Sequence, residues 1–312
     1  MSKPLLSVET LRVEYEDVTA VDDVSFEVAA GSVYGLIGPN GAGKTSVIRA
    51  VSTLLEPTYG NVRIADVDVA DGDRAVLRRI GYMPDFPPLM PDLSVREFLT
   101  MFASAYGVPR SDRRGLVESL AAKVRLTEKL DAETGTLSRG MKQRLFLAKT
   151  LINDPEVLLL DEPASGLDPT ARRELRDVIV ELGRNGKAVV ISSHILSEMV
   201  DFCDSVGIME AGKLIVSGRI EEILERVRPG TALTIRLERP DVRLDGFLAA
   251  RPGTSGITSR SDGTTLTLQG GEPAAAELLR ALIAAEFPVV SFHAETGDLT
   301  DIFFQLSSGG VS

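Results

Sequence analysis

The sequence predicts an α/β fold built on a parallel sheet, followed by a small C-terminal α+β module. Two short apolar stretches, 156–163 (EVLLLDEP) and 187–194 (KAVVISSH), are separated by a helical pattern over 170–186. Apolar strands that alternate with helices are typical of a parallel sheet covered on both faces. Upstream, alternating apolar residues and glycine breaks predict an antiparallel β subdomain from three stretches: 5–15, 20–31 and 60–69.

Helices are predicted from the spacing of apolar residues. Between Val47 and Leu55 apolar residues recur at helical spacing, and Pro57 is predicted to end that helix. Residues from about 86 to 154 are mostly helical in pattern and form a predicted helical subdomain. The stretch 204–218 predicts a hairpin with its turn near Ala211–Gly212.

The pattern of the sequence changes after Gly218, and this change predicts two domains, 1–218 and 219–312. In the second domain, alternating patterns predict strands and helical spacing predicts helices. The strands are expected at 231–238, 254–260, 264–271 and 289–295, and the helices at 219–227, 272–287 and 298–307.

Composition narrows the classes of function. The formal net charge of −11 argues against a nucleic-acid backbone as the main partner, because such binding depends on Lys and Arg. No stretch approaches the roughly 18 apolar residues that span a bilayer, and the N-terminus lacks the apolar core of a signal peptide. The single cysteine, Cys203, excludes an internal disulfide. These features predict a soluble, cytosolic protein.

A phosphate-binding loop is the most specific single motif. The stretch GPNGAGKT fits the pattern of glycine, four residues and Gly-Lys-Thr, between a predicted strand and a predicted helix. Backbone N–H groups of such a loop surround phosphate oxygens, and the lysine reaches the β- and γ-phosphates. This predicts a P-loop NTPase core whose nucleotide contacts are Gly38, Pro39, Asn40, Gly41, Ala42, Gly43, Lys44, Thr45 and Ser46.

Two acids at the end of a buried strand complete the predicted hydrolytic site. In the stretch VLLLDEP, Asp161 and Glu162 directly follow the apolar run. Asp161 is expected to hold a magnesium ion beside the phosphates, together with the Thr45 hydroxyl. Glu162 is expected to face the attacking water. A solvated strand end would be the simpler interpretation of two adjacent acids without the phosphate loop.

Three further motifs carry a resemblance to a known family. They are LSRGMKQR at Leu137–Arg144, ASGLDP at 164–169 and ISSH at 191–194. With the phosphate loop and the acidic strand, in this order over about residues 5–218, the chain resembles the ATP-binding-cassette ATPases of ABC transporters. The resemblance implies ATP and Mg²⁺ as ligands. It also implies a head-to-tail pair of subunits that enclose two ATP molecules.

The resemblance assigns roles to five further residues. Tyr15 matches the aromatic residue on which adenine stacks, although plain surface packing of Tyr15 is the alternative. Ser138 and Gly140 match the signature loop that covers the γ-phosphate of ATP on the partner subunit. Asp168 matches the acid that links the two sites of the dimer. His194 matches the histidine that contacts the γ-phosphate, so Glu162, His194 and Lys44 are the predicted catalytic residues.

The chain departs from the usual family pattern at three positions. Arg139 replaces a glycine and Met141 a glutamine in the signature. Asp85, in GYMPDF, stands where the family carries a glutamine that touches magnesium and the attacking water. Asp85 keeps an oxygen for the metal and is expected to act as a metal-facing sensor. The alternative is that it caps its loop.

The resemblance also implies partners. The pattern is most like the ATPases of bacterial drug or antibiotic exporters with a separate transmembrane permease, or of exporters of lipid-like substrates. The expected partners are a second copy or a related ABC subunit, and a permease that docks on about Pro84 to Tyr106. The chain would then lie on the inner face of the cell membrane. One rival is a soluble ABC ATPase that acts on nucleic acid or ribosomes, and another is a catalytically weak ATP sensor.

Overall fold

The computed structural model describes residues 3–85, 88–226, 231–260 and 263–295. The chain divides into two compact units, Met1–Ile220 and Glu221–Ser312. The boundary predicted near Gly218 falls just before this division. The helix predicted over 298–307 lies outside the described residues.

The first unit contains two sheets and helices that pack on them. Its strands are β1 (Pro4–Tyr15), β2 (Val18–Ala29), β3 (Val33–Ile37), β4 (Tyr59–Ile64), β5 (Val67–Asp68), β6 (Ile80–Met83), β7 (Val157–Leu160), β8 (Ala188–Ser193), β9 (Ser205–Glu210) and β10 (Lys213–Arg219). Its helices are α1 (Lys44–Val51), α2 (Arg74–Leu77), α3 (Val95–Ala105), α4 (Arg110–Lys123), α5 (Arg139–Thr150), α6 (Pro169–Arg184) and α7 (Leu196–Val200), and helix α8 (Ile220–Arg226) begins at the unit's last residue.

The larger sheet is parallel except at one edge. Its strand order is β10-β9-β3-β8-β7-β6, and only β10 runs antiparallel to its neighbour. Every residue of β3, β7 and β8 is buried, which explains why these strands read as continuous apolar runs. The parallel sheet predicted from the alternation of strands and helices is confirmed.

The smaller sheet is antiparallel, with the order β2-β1-β4-β5. Alternate residues of β1 face inward, and they share one core with α1 and the inner strands of the larger sheet. That core packs α1 against both sheets. Representative members are Leu6, Val8, Leu11, Leu36, Val47, Ile48, Leu159 and Val190.

Helix α1 is shorter than the sequence predicted. It ends at Val51, and Pro57 does not end it. Thr53 has a φ of 61°, and the amides of Leu54 and Leu55 both donate to the carbonyl of Arg49. Leu54 is 63% exposed, so its helical spacing does not reflect burial.

The helical segment is anchored to the core by a buried arginine. The Arg144 guanidinium of α5 donates to the carbonyl oxygens of Val124 and Arg125 at the end of α4, at 3.0 and 3.1 Å. It also pairs with Glu174 of α6 at 2.9 Å. Burial lowers the pKa of Arg144, and the Glu174 carboxylate opposes that shift. Arg144 therefore joins α4, α5 and α6 at one point.

The second unit has the β-α-β-β-α-β order of a ferredoxin-like fold. Its elements are β11 (Thr231–Leu237), α9 (Arg243–Ala249), β12 (Thr254–Arg260), β13 (Gly263–Leu268), α10 (Gly271–Ala284) and β14 (Val289–Glu295). The sheet order is β12-β13-β11-β14, and all neighbours are antiparallel. Helix α9 was not predicted from the sequence, although Leu244, Phe247 and Leu248 have helical spacing.

The start of α3 offers a test of local stability. The Ser94 hydroxyl accepts from the Glu97 amide at 3.2 Å, and the Glu97 carboxylate accepts from the Ser94 amide at 2.9 Å. Ser94→Ala is expected to lower the free energy of unfolding by about 1 kcal/mol, because this capping box is lost. Denaturant unfolding measures the change. Ser104→Ala, on the same helix, is the control, and equal losses in both variants would contradict the capping role.

Candidate active site

The candidate site lies where the central parallel strands end. Ile37 of β3 pairs with Ser193 of β8, and Leu160 of β7 pairs with Ile191. The residues that follow these strands are Gly38, Asp161 and His194. In open α/β sheets this edge is where ligands bind.

The loop between β3 and α1 needs glycine at two positions. A Cβ at Gly38 would lie 2.3 Å from the Met209 carbonyl oxygen. Gly43 has a φ of 101°, and a Cβ there would lie 2.3 Å from the Ala20 carbonyl oxygen. The chain therefore turns tightly into α1, and its N-terminus offers backbone N–H groups to an anion.

Lys44 points back into its own loop. Its Nζ donates to the carbonyl oxygens of Gly38 and Pro39, at 2.7 and 3.1 Å. The same nitrogen lies 3.4 Å from Oε1 of Glu162. Since Lys44 is 6% exposed, its charge is held inside the loop and faces the acidic strand end.

Asp161 connects three elements. Its Oδ1 accepts from the Ser192 hydroxyl of β8 at 2.7 Å and from the Thr45 hydroxyl of α1 at 3.3 Å. Asp161 is 3% exposed, and a buried carboxylate is stable only when it is paired or hydrogen-bonded. The Ser192 hydroxyl also accepts from the Glu162 amide at 2.9 Å. Ser192 thus fixes both acids.

Glu162 lies between two groups that can carry positive charge. Its Oε2 is 2.9 Å from Nδ1 of His194, and its Oε1 is the atom that faces Lys44. Glu162 has a φ of 46°, a left-handed conformation that non-glycine residues seldom adopt. This turn after β7 directs Asp161 and Glu162 to different neighbours.

Asp85 follows β6 and comes close to the same acids. Its backbone oxygen accepts from Nε2 of Gln143 on α5 at 3.3 Å. Its Oδ1 is buried and has no hydrogen-bond partner among the described residues. Burial raises the pKa of the Asp85 carboxyl, and the charges of Asp161 and Glu162 raise it further.

Comparison with known proteins places the chain in a family. A family model for ABC transporters matches residues 21–165. Nod factor export ATP-binding protein I of Burkholderia lata is 38% identical over 306 residues, which cover 97% of this chain and 98% of that protein. The protein of the same name from Ralstonia nicotianae is 32% identical over 310 residues, covering 98% and 94%.

The chain is an ABC transporter ATP-binding subunit. Solved structures agree with this assignment. An ATP-binding subunit of an ABC transporter has a TM-score of 0.63 and 32% identity, and the match covers 71% of this chain and 92% of that one. CbiO1 of Clostridium perfringens, part of the transporter complex cbiONQ, has a TM-score of 0.67 and 27% identity, with coverage of 73% and 94%. The P-loop NTPase fold and the ATPase activity predicted from the motifs are therefore confirmed.

In this ABC ATPase the phosphate loop, the acidic strand and His194 come together as described above. Tyr15 lies beside them, with its hydroxyl 3.3 Å from the Ser46 hydroxyl and its side chain 41% exposed. Sequence reasoning missed Ser192 and Gln143. The available signal was that each lies inside a quoted motif, Ser192 in ISSH and Gln143 in LSRGMKQR.

The signature residues of the ABC ATPase start two helices. Ser138 accepts from the Met141 amide at 3.3 Å and caps α5, and Asp168 accepts from the amides of Thr170 and Ala171 and caps α6. Across the described ranges, no hydrogen bond joins Ser138, Gly140 or Asp168 to the phosphate loop. The hydrogen bonds of Ser138 and Asp168 are thus made within the first turns of their own helices.

The oxygen donors at the strand ends fit a magnesium ion. Mg²⁺ prefers hard oxygen ligands and is bound by one or two carboxylates together with substrate phosphates. Thr45 and Asp161 place a hydroxyl and a carboxylate oxygen 3.3 Å apart, and Asp85 adds the buried oxygen without a hydrogen-bond partner among the described residues. No cluster of three or more His, Cys, Asp or Glu side chains that could hold a metal occurs in the described part of the chain.

The contact between α5 and α6 in the ABC ATPase can be tested at Gly140. A Cβ there would lie 2.5 Å from Cβ of Ala171. Gly140→Ala is expected to lower the free energy of unfolding by about 1–3 kcal/mol, because the added methyl overpacks the contact. The double variant Gly140→Ala/Ala171→Gly is expected to be more stable than Gly140→Ala. Denaturant unfolding measures both.

A second glycine provides the matched control for this test. Gly115 lies on α4, and a Cβ there would meet nothing within 4 Å. Gly115→Ala is expected to stabilise the protein by up to about 1 kcal/mol through helix propensity. If Gly140→Ala behaved like Gly115→Ala, the close approach of α5 and α6 would be wrong.

Proposed function

We propose that this subunit hydrolyses ATP with Mg²⁺ to power export through a separate membrane permease. The observation that carries the hydrolytic part is Glu162, whose carboxylate lies 2.9 Å from Nδ1 of His194 and 3.4 Å from Nζ of Lys44. Export is supported by relatives that align along nearly the whole chain and are named for Nod factor export. The cargo belongs to the drug, antibiotic or lipid-like substrates expected from the sequence.

Some residues of the site bind ATP and magnesium, and others take part in proton transfer. The phosphate loop and Lys44 bind the β- and γ-phosphates, and Tyr15 carries the adenine. Glu162 orients the attacking water and accepts its proton, while His194 holds the Glu162 carboxylate in position. Thr45, Asp161 and Asp85 are the residues that would hold magnesium. When bound, magnesium offsets the charge that develops on the transferred phosphoryl group.

A second copy of the chain would complete each site. Ser138 and Gly140 of one subunit would cover the γ-phosphate bound to the other, and Asp168 would link the two sites. The support is that Ser138 and Asp168 are exposed at the starts of their own helices and make no hydrogen bond to the phosphate loop in the described ranges. The serine hydroxyl and the N–H groups at the start of α5 suit a phosphate.

The permease would dock on the segment from Pro84 to Tyr106, at the inner face of the membrane. No helix in the described residues is long and apolar enough to cross a bilayer. Met90 and Tyr106 are large apolar side chains that are 45% and 44% exposed on this segment. They give the segment an apolar contact surface for a partner.

Reconstitution tests the transport part of the proposal. The subunit would be combined in vesicles with the protein of about six membrane spans expected to be encoded beside it. ATP-dependent movement of cargo, lost with Glu162→Gln, is the expected result. Normal ATPase activity that the membrane protein neither binds nor changes would favour the soluble ATPase instead.

Glu162→Gln tests the hydrolytic role. The amide cannot accept a proton, so turnover is expected to fall by about 10²-fold or more while ATP binding is retained. ATPase rates and nucleotide titration measure the two effects. Glu128→Gln, on the exposed turn Thr127–Lys129, is the control and is expected to keep its rate. Wild-type turnover in Glu162→Gln would disprove the assignment.

Asp85→Asn tests the metal-facing role. Loss of the negative charge is expected to raise the magnesium concentration for half-maximal ATPase by about threefold or more, because an anionic oxygen binds the ion better than an amide. The rate is followed during a magnesium titration. Asp92→Asn, on the exposed loop that follows, is the control. An unchanged magnesium dependence would favour the loop-capping alternative.

A further inference from the structure

Arg139, the first residue of α5, lies against the loop that follows the acidic strand. A Cβ at Gly166 would lie 2.7 Å from both Cζ and Nη1 of the Arg139 guanidinium. Gly166 has a φ of 65°, so both its backbone conformation and this close approach favour glycine. The flat guanidinium therefore rests on the backbone at Gly166.

The charge of Arg139 is not committed to a hydrogen bond or an ion pair with any residue that the structure describes. A guanidinium carries five N–H donors and remains protonated at physiological pH. The nearby arginine Arg144 uses its donors on two carbonyl oxygens and a carboxylate. Arg139 differs from it in being exposed, with its donors available.

The geometry of α5 places Arg139 on the side of the helix that faces Asp85. Residues four apart lie on one face of a helix, and Gln143, four residues after Arg139, donates to the Asp85 backbone oxygen at 3.3 Å. Asp85 presents a buried carboxylate oxygen with no hydrogen-bond partner among the described residues. Within the described ranges, an arginine and a carboxylate oxygen without a partner thus lie beside the same turn of α5.

The positive charge of Arg139 lies near a site that is rich in negative charge. Asp85, Asp161 and Glu162 bring three carboxylates to a site that must also hold a triphosphate. Like charges in a partly buried site repel one another strongly. The positive charge of Arg139, on the face of α5 that turns toward Asp85, opposes this repulsion.

We propose that Arg139 is a positioning residue for ATP hydrolysis. It balances the Asp85 carboxylate and holds the loop at Gly166, so that the loop after β6, the start of α5 and the loop after β7 keep one arrangement. Arg139 and Asp85 then work as a charge pair. The proposal rests on the proposed function of the site, since the arrangement it maintains is that of Asp85 and Glu162 around ATP.

A double-mutant cycle on the full chain tests the pair. Wild type, Arg139→Gln, Asp85→Asn and the double variant are compared by ATPase rate at saturating ATP and magnesium. We expect kcat to fall about tenfold in Arg139→Gln, with KM for ATP changed less than about twofold. We expect the double variant to be at least about fivefold faster than the product of the two single effects predicts.

Two matched variants exclude simpler explanations. Arg110→Gln changes the first residue of α4, which is exposed like Arg139, and is expected to keep wild-type activity. Arg139→Lys keeps the charge and is expected to recover most of the rate. Single effects that simply multiply would overturn the pair. The pair would also be overturned if Arg139→Gln raised the KM for ATP by the same factor in the wild-type and the Asp85→Asn background. Arg139 would then contact the nucleotide itself.

Failure of the proposed function is distinguishable from failure of this inference. If the wild type hydrolysed no ATP, the proposed function would be wrong. The midpoints of thermal unfolding of the same four proteins would then test whether Arg139 and Asp85 interact. Shifts that are not additive support an interaction between Arg139 and Asp85. Additive shifts overturn it.

Discussion

The buried carboxylate of Asp161 is the constraint on which the rest of the site depends. It accepts hydrogen bonds from the hydroxyl groups of Ser192 on β8 and Thr45 on α1, so one side chain connects the ends of two strands with the first helix. A buried charge is strongly destabilising without such partners. The phosphate loop, which leads into α1 at Lys44, is therefore fixed relative to the acidic strand.

The position of Glu162 follows from that constraint. Asp161 turns into the protein, and the left-handed turn at Glu162 sends the next carboxylate toward Lys44 and His194. Ser192 holds the Glu162 amide as well as Asp161, so the two acids cannot move independently. This is the kind of pre-organisation that lets a fixed carboxylate orient water without reorganising in the transition state.

Much of this site could be predicted because its chemistry is local in sequence. The phosphate loop, the acids after β7 and His194 each directly follow a strand that is recognisable in the sequence as a run of apolar residues. Ser192 and Gln143 could not be assigned in the same way, because their roles depend on which neighbouring strand or loop they face. The helix end at Val51 was misplaced because Leu54 has helical spacing but is exposed, and α9 was missed because Gly246 in its middle lowers the helix propensity of a short segment.

We propose that each hydrolytic site combines Lys44 of one chain with Ser138 of another. Equal amounts of Lys44→Ala and Ser138→Asp, each inactive alone, can be mixed and assayed for ATPase; aspartate retains the helix cap and repels phosphate. About a quarter of the wild-type rate should return, because about half of the randomly formed pairs contain one intact site of two. A mixture that stays inactive would contradict the claim.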